Sequence, residues 1–292
     1  MAGKIITKLR DLAEMVKVSH TIFALPFALA SMLVAAGGFP PLRVIGLIVL
    51  AMFTARNAGM AFNRYLDAAI DARNPRTASR HIPRGVFSRS FVLAFALANA
   101  ALFVAVSGLL NPLCLKLSPV ALVLLFSYSA MKRFTSLSHL VLGLTLGSSP
   151  VAAWAAVRGA LSWEPFVLGG AVIFWVAGFD VIYATQDYEF DKKEGLHSLA
   201  VALGVPGALR LSRMFHVLTI LLFAAFGWQL HLGIVYHACL VAIALLLAYE
   251  HSLVKPHDLS RVNAAFFNVN GCISLLFLAG VFIGLEMQTA AF

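Results

Sequence analysis

Nine apolar runs, separated by polar or turn-forming residues, follow one another along the chain. Each has about the 20 mostly apolar residues that a helix needs to cross a bilayer. Turn signals such as Asn111-Pro112 separate runs that would otherwise join. The pattern predicts an all-α, polytopic membrane bundle of about nine transmembrane helices. The predicted spans are 18–38, 42–62, 90–110, 113–131, 138–157, 165–184, 207–228, 231–250 and 263–285.

The composition agrees with this pattern. Of 292 residues, 61% are apolar and only 12% are charged, against about 25% charged in an ordinary soluble domain. A folded chain with so few charges could not cover its surface in water. The composition also excludes a disordered chain and a disulfide scaffold. We therefore expect a single integral membrane domain over residues 1–292.

The basic residues predict the orientation of the protein. Eighteen of the 22 Lys and Arg residues lie in the N-terminal tail and in the loops 63–89, 132–138, 185–213 and 251–261. Cytoplasmic loops carry such an excess, so the N-terminus and both long loops are predicted to be cytoplasmic. The net charge of +9 is then explained by basic loops that orient the protein and contact membrane lipid. No nucleic-acid partner is expected. The predicted location is the plasma membrane of a bacterium or archaeon.

The first polar segment of interest continues the second span. Asn63, Asp67 and Asp71 are spaced by four residues and so share one helical face. Like charges one turn apart are unfavourable unless a cation lies between them, and Mg²⁺ prefers oxygen ligands of this kind. The alternative is a solvated helix end, with the aspartates paired to Arg64 or Arg73.

A second segment repeats the arrangement at the end of the sixth span. Asp187 and Asp191 are again four residues apart, and Asp180 lies two turns earlier on the predicted face. Glu189 falls off that face. An acid as deep in a span as Asp180 indicates function by default. Together the two segments predict a two-sided cage for Mg²⁺ and a diphosphate.

A diphosphate also needs cationic partners. Suitable residues lie in the loop after the first Asp face and directly after the fourth span. The cationic candidates are Arg76, Arg80, Lys132 and Arg133, and Tyr128, within the fourth span, is a further candidate for binding the diphosphate. Arg56 differs from these, because it lies within the second span and on the same face as Asn63. Such an arginine either snorkels or binds an anion, and its position favours an anion.

These residues resemble the motifs of the UbiA family of membrane aromatic prenyltransferases. That family's first motif is Asn-Asp-x2-Asp-x3-Asp followed by Arg-Thr-x2-Arg-Pro-x-Pro-x-Gly. This chain has Asn63, Asp67 and Asp71, then the run 76–85. The family's Tyr-x3-Lys-Arg corresponds to Tyr128, Lys132 and Arg133.

The second motif of the family, Asp-x2-Tyr-Ala-x2-Asp-x3-Asp-x3-Gly-x-x-Ser, is also present. The corresponding residues are Asp180, Tyr183, Ala184, Asp187, Asp191, Gly195 and Ser198. All three motifs occur in order, so the resemblance covers nearly the whole chain. It implies Mg²⁺-dependent transfer of a polyprenyl group from a prenyl diphosphate to an aromatic hydroxy-carboxylate in quinone biosynthesis, at a site on the cytoplasmic side.

Two departures concern the acceptor. Arg64 stands where the first motif usually has Asp, and His81 stands where Pro is usual. The Asn-Arg form resembles a subgroup labelled 4-hydroxybenzoate polyprenyltransferase, some members of which are linked to menaquinone synthesis by the futalosine route. The acceptors left open are 4-hydroxybenzoate and 1,4-dihydroxy-6-naphthoate.

The roles implied by the resemblance complete the hypothesis. The metal ligands are Asn63, Asp67, Asp71, Asp187 and Asp191, with Asp67, Asp191 and Lys132 as the catalytic residues. The residues predicted to bind the acceptor are Arg56, Asp180, Tyr183 and His20. The base could be Asp180, Asp191 or His20. A secondary transporter is the main alternative outside enzymes, since it too can carry acids and arginines within spans.

Overall fold

The computed structural model describes residues 2–17 and 21–290, and regular structure in this part of the chain is almost entirely helical. A 3-10 turn (Thr185–Asp187) separates two of the helices, and a π-helical segment (Ala265–Val269) separates two others. The helices are α1 (Ala2–Met15), α2 (Thr21–Ala36), α3 (Leu42–Arg73), α4 (Arg89–Leu110), α5 (Pro112–Met131), α6 (Ser138–Arg158), α7 (Glu164–Ala184), α8 (Tyr188–Glu194), α9 (Leu199–Gln229), α10 (Gly233–Leu253), α11 (Val262–Ala264) and α12 (Asn270–Thr289).

Eight helical stretches among the described residues are long and apolar enough to cross a bilayer. They are α3, α4, α5, α6, the stretch from α7 to α8, α9, α10 and the stretch from α11 to α12. The first predicted run contains α2, an apolar helix of 16 residues. Each predicted run therefore contains a helix, and the prediction of an all-α polytopic membrane protein is confirmed. The chain is an integral membrane protein.

Two helices extend beyond the predicted spans. α3 continues through the first Asp segment to Arg73, as the spacing of its acids indicated. α9 begins at Leu199 instead of near 207, with a kink at Gly204, whose φ of 67° is left-handed. Glycine tolerates this conformation, and Pro206 has no backbone N–H to continue the hydrogen bonds of the helix.

Contacts divide the chain into two compact units. The first comprises Met1–Thr21 and Gly46–Ala130, and the second comprises Ile22–Ile45 and Met131–Phe292. In the first unit, the end of α1 packs on α3 and α4 through a buried apolar cluster. Its fully buried members are Met15, Val16, Ala61, Val92 and Ala96.

The second unit has a core of aromatic rings. Phe27 lies 4.9 Å from Trp175 and 5.0 Å from Phe277, measured between ring centroids. Phe223 stacks on Phe27 at 5.7 Å. Offset and tilted pairs of this kind add to the burial of each ring. They tie α2, α7, α9 and α12 together around one centre.

Small residues bring α6 and α7 close together in this unit. A Cβ atom built on Gly147 would lie 2.6 Å from the carbonyl oxygen of Gly169, and the reverse distance is 2.7 Å. No side chain could occupy that space. Small residues let membrane helices approach at their backbones, so this pair sets the separation at which α6 and α7 exchange polar contacts.

Candidate functional site

The first Asp face lies on α3 in the first unit. Asp67 and Asp71 are 2% and 3% exposed, although both are acids. Asn63 donates a hydrogen bond from Nδ2 to Asp67 Oδ2 at 3.0 Å. The predicted shared face of these three residues is thus formed by a continuous helix, and the alternative of a solvated helix end does not fit the burial of its acids.

The loop after α3 holds an arginine against this face. Asn74 Oδ1 accepts from the Arg76 backbone N–H at 2.9 Å, which makes an Asx turn. Thr77 donates to the carbonyl oxygen of Asp71 at 3.1 Å, a helix-end carbonyl that would otherwise lack a partner. With the loop folded in this way, Arg80 Nη1 lies 2.7 Å from both carboxylate oxygens of Asp71.

The pairing of Asp71 differs from the simplest local expectation. Sequence proximity suggested Arg64 or Arg73, whereas the ion pair forms with Arg80, nine residues away. Arg76, the other arginine of this loop predicted to bind diphosphate, is exposed. Arg80 therefore contacts the Asp71 carboxylate, whereas Arg76 lies on the surface of the same loop.

Arg56 also lies in the first unit, two turns before Asn63. Its Nη2 donates to the carbonyl oxygen of Lys17 at 3.0 Å. Its Nε–H is buried and has no hydrogen-bond partner among the described residues. A buried donor in this state is available to an anion, since leaving it unpaired is unfavourable. Tyr128 is half-buried on α5, and His20 lies outside the described residues.

The second Asp face lies in the second unit and is less regular than predicted. α7 ends at Ala184, and Asp187 is in the 3-10 turn that precedes α8. Asp180 and Asp187 therefore do not lie on one continuous α-helix, because the tighter turn changes the helical register. Asp191 lies in α8, one turn beyond Asp187. Glu189 is exposed, as its spacing predicted.

Asp180 has a partner that sequence reasoning missed. His139 Nδ1 lies 2.7 Å from Asp180 Oδ2. The other ring nitrogen, Nε2, accepts from the backbone N–H of Leu199 at 3.4 Å. Because Nε2 is an acceptor, the proton of the neutral ring is on Nδ1, which donates to the carboxylate. The available signal was a histidine one residue inside an apolar span.

The wall beside Asp180 is aromatic. Tyr183 lies 4.4 Å from Phe266 between ring centroids, and Phe266 also meets Phe179 and Phe23 edge to face. Phe266 belongs to the π-helical segment. Irregular turns of this type are frequent at functional sites, because they redirect a side chain.

The loop of Lys132 and Arg133 is tied to the end of the second motif. The Lys132 carbonyl oxygen accepts from the backbone N–H of His197 at 2.7 Å. Gly195 ends α8 with a left-handed φ of 67°. Ser198 caps α9 by accepting from the N–H of Val201. The spaced Gly and Ser of the motif thus shape the turn that holds Lys132.

The donor set of the first Asp face fits a hard divalent cation. Carboxylate oxygens are the ligands that Mg²⁺ prefers, and it usually takes only a few from the protein. Asp67 and Asp71 are buried on adjacent turns of α3, and Arg80 of the following loop pairs with Asp71. Asn63 donates from its amide nitrogen to Asp67.

A further buried polar cluster in the second unit was also missed. Glu250 is fully buried and accepts from Asn270 Nδ2 at 2.8 Å. The same amide contacts the carbonyl oxygens of Ala265 and Phe266. Asn270 thereby supports the π-helical segment that presents Phe266 to Tyr183.

The chain matches a known family over most of its length. The model of the UbiA prenyltransferase family matches residues 24–279. The 4-hydroxybenzoate octaprenyltransferase of Vibrio cholerae is 34% identical over 254 residues, which cover 87% of this chain and 88% of that protein. The 4-hydroxybenzoate octaprenyltransferase of Aeromonas hydrophila is 33% identical over 278 residues, 94% of each chain.

Solved structures share the fold. The apo structure of a UbiA homolog from Aeropyrum pernix K1 superposes with a TM-score of 0.83 at 35% identity, covering 92% of this chain and 98% of that one. A UbiA homolog from Archaeoglobus fulgidus bound to DMAPP and Mg²⁺ has a TM-score of 0.74 at 20% identity, with coverage of 94% and 99%.

Proposed function

Because the chain belongs to the UbiA prenyltransferase family, we propose that it transfers a polyprenyl group from a prenyl diphosphate to an aromatic hydroxy-carboxylate of the 4-hydroxybenzoate type. The observation that carries this proposal is the burial of Asp67 and Asp71 on adjacent turns of a membrane helix. Arg80 Nη1 lies 2.7 Å from the carboxylate of Asp71. The whole chain, residues 1–292, would act as one catalytic domain. Its N-terminus and its site would face the cytoplasm, in keeping with the distribution of basic residues.

The two Asp faces would hold the diphosphate end of the substrate. Asn63, Asp67 and Asp71 would bind Mg²⁺, and so would Asp187 and Asp191. The bound ion supplies positive charge that offsets the charge of the diphosphate. The chain's own cations would share this role as the leaving group departs. They are Arg76, Arg80, Lys132 and Arg133, with the Tyr128 hydroxyl as a hydrogen-bond donor.

The reaction would proceed by ionisation and capture. The bond between C1 of the prenyl group and the diphosphate oxygen breaks, and the electron pair leaves with the diphosphate. The allylic cation is attacked by a ring carbon ortho to the phenol, which forms the new C–C bond. The ring then loses the proton from that carbon. The apolar tail would lie among the helices and lipid, so the site needs no pocket of fixed tail length.

The acceptor would be held by the residues that the sequence predicts for it. Arg56, whose Nε–H is buried without a partner among the described residues, would bind the ring carboxylate. Tyr183 would contribute to the wall against the ring. His20 remains a candidate from sequence alone. Asp180 is the best-supported base, because His139 donates to it and holds its carboxylate in place.

A competition experiment tests the function and the acceptor together. Purified protein in Mg²⁺-containing detergent is offered 4-hydroxybenzoate and 1,4-dihydroxy-6-naphthoate with one prenyl diphosphate, and products are identified by mass spectrometry. We expect prenylated 4-hydroxybenzoate, in agreement with the names of the curated relatives. Prenylated naphthoate alone would assign the acceptor of the menaquinone route. Transport of the acceptor into vesicles without any prenylated product would favour a secondary transporter.

The pairing of His139 with Asp180 predicts that a variant at His139 changes kcat but not the KM for prenyl diphosphate. His139→Leu removes the donor, and we expect kcat to fall by about 10²-fold, a typical contribution of positioned acid-base groups. The KM for prenyl diphosphate should change little, because His139 does not belong to the diphosphate end. His139→Asn can still present an N–H to Asp180 and should recover most of the activity. Equal losses of kcat in both variants would contradict a positioning role.

A further inference from the structure

The π-helical segment Ala265–Val269 interrupts a membrane-spanning stretch, where every backbone polar group needs a partner within the protein. A π turn pairs each carbonyl with the fifth residue along the chain, so the regular α-helical pairing is broken at its ends. Here a side chain supplies a donor. Asn270 Nδ2 contacts the carbonyl oxygens of Ala265 at 3.3 Å and of Phe266 at 3.2 Å. Asn270 therefore stabilises the irregular turn.

Glu250 of α10 fixes the orientation of the Asn270 amide. Glu250 Oε1 accepts from Asn270 Nδ2 at 2.8 Å, and both residues are fully buried. An amide nitrogen carries two hydrogens. One points to the carboxylate, and the other is shared between the two backbone carbonyl oxygens. The reversed amide would turn its own oxygen toward three acceptors, so only the described orientation fits.

The Glu250 carboxylate is itself held between helices. Its Oε2 lies 3.7 Å from Nδ1 of His216 on α9. The other ring nitrogen, His216 Nε2, donates to the carbonyl oxygen of Trp175 on α7 at 3.4 Å. A Cβ atom on Gly178 would collide with the His216 ring, so the ring requires a glycine where it meets α7. The buried polar residues thus connect α7, α9, α10 and α12.

The aromatic residue that this pair supports faces the second motif. Phe266 is 8% exposed, and its ring centroid lies 4.4 Å from that of Tyr183. Its centroid also lies 5.2 Å from that of Phe179 and 5.5 Å from that of Phe23. A regular α-helical turn in place of the π turn would change the register between Phe266 and α12 by one residue, a rotation of about 100°. The π turn therefore determines that Phe266 meets Tyr183.

We propose that Asn270 and Glu250 are positioning residues for the aromatic acceptor, because they hold Phe266 against Tyr183 and so fix the wall on which the acceptor ring packs. This inference rests on the proposed function, in which Tyr183 belongs to the acceptor end of the site. Aromatic rings bind one another in defined offset or edge-to-face arrangements. A displaced wall therefore weakens acceptor binding, whereas the carboxylates that serve the diphosphate end keep their places.

Steady-state kinetics test this role by varying each substrate in turn. Purified protein in Mg²⁺-containing detergent is given 4-hydroxybenzoate and one prenyl diphosphate. Asn270→Ala should raise the KM for the acceptor by about tenfold, as expected when one aromatic contact is misplaced. The KM for prenyl diphosphate should stay within about twofold of its original value. Equal increases in both KM values would contradict a role at the acceptor end.

Two substitutions of Glu250 separate hydrogen bonding from packing. Glu250→Gln keeps an oxygen that can accept from Asn270, and it adds a donor to a cluster in which Asn270 Oδ1 is buried without a hydrogen-bond partner among the described residues. It should keep the acceptor KM within about threefold of the original value. Glu250→Met has a similar size but no acceptor oxygen, and it should behave like Asn270→Ala. Equal effects of the two substitutions would contradict the proposal.

Tyr236→Phe is the matched control. It removes another buried hydrogen bond of α10, from the Tyr236 hydroxyl to the carbonyl oxygen of Phe223 at 2.7 Å, and keeps the ring. Its acceptor KM should be unchanged even if its thermal stability falls. A rise in acceptor KM equal to that of Asn270→Ala would mean that any loss of packing in this unit has the same effect, and would overturn the proposal.

A double-mutant cycle tests whether Asn270 acts through Phe266. Phe266→Leu alone should raise the acceptor KM, and adding Asn270→Ala should raise it little further, because the contact that Asn270 supports is already lost. Effects that simply multiply would show that Asn270 acts by another route. This cycle also keeps the proposal testable if Glu250→Met fails to fold.

Amide hydrogen exchange reports on the π-helical segment without turnover. Asn270→Ala should speed exchange in residues 265–269 by about tenfold or more, whereas Tyr236→Phe should not. Faster exchange with an unchanged acceptor KM would reduce the pair to a structural role and overturn the proposal. If the unmodified protein formed no prenylated product, the proposed function would fail, and the exchange data would still decide whether the pair holds this segment.

Discussion

Asp191→Ala is expected to lower kcat by about 10³-fold or more in Mg²⁺-containing detergent. Loss of one preorganised electrostatic partner commonly lowers kcat by 10²–10³-fold, and Asp191 would also be a metal ligand. The carboxylate lies in α8, one turn beyond Asp187, so its removal would break the second Asp face. The measurement is the initial rate of prenylated product, determined by mass spectrometry at saturating prenyl diphosphate.

Glu189→Ala is the matched control for this variant. Glu189 lies two residues before Asp191 in the same short helix and is exposed. Its removal changes the net charge equally, and kcat should remain within about twofold, because an exposed charge contributes little. Near-normal activity of Asp191→Ala, or an equal loss in both variants, would rule out Asp191 as a site residue.

Arg80→Gln is expected to lower kcat/KM for prenyl diphosphate by about 10²-fold, which corresponds to about 2.7 kcal/mol. Arg80 Nη1 contacts both oxygens of Asp71 at 2.7 Å, and the guanidinium would also offset charge on the departing diphosphate. Its loss leaves a buried carboxylate without its cation, which is destabilising in itself. Thermal unfolding should therefore accompany the kinetic measurement.

Two comparisons separate charge from geometry at this position. Arg80→Lys keeps the charge but loses the planar guanidinium, so its kcat/KM should fall between those of Arg80→Gln and the unmodified enzyme. Arg84→Gln removes an exposed arginine of the same loop and should have little effect. If Arg84→Gln lost as much activity as Arg80→Gln, the loop would act through its overall charge and not through the pair with Asp71.

The helices were predictable because each depends on a local property. An apolar run of sufficient length must form a helix in a bilayer, where every backbone group needs an internal partner. The break at Asn111-Pro112 and the extension of α3 to Arg73 follow from residues within one turn of each position. The register change at Thr185–Asp187 was missed, since no Pro or Gly marks it.

Side-chain partners distant in sequence were not predictable in the same way. His139 and Asp180 are 41 residues apart, and they meet because Gly147 and Gly169 allow α6 and α7 to approach closely. The pair of Glu250 with Asn270 likewise joins two helices. Such contacts depend on the rotation and separation of whole helices, which the spacing within either helix does not determine.

The sequence by itself determined the membrane character, the helical runs, the two Asp-x3-Asp segments and the family, because periodicity, hydropathy and motif order are properties of contiguous residues. Only the tertiary structure decided that Arg80 pairs with Asp71, that His139 holds Asp180, and that Arg64 is buried although it is charged. The physical reason is that burial and pairing energies act between side chains brought together by packing, and packing is settled only when the helices assemble.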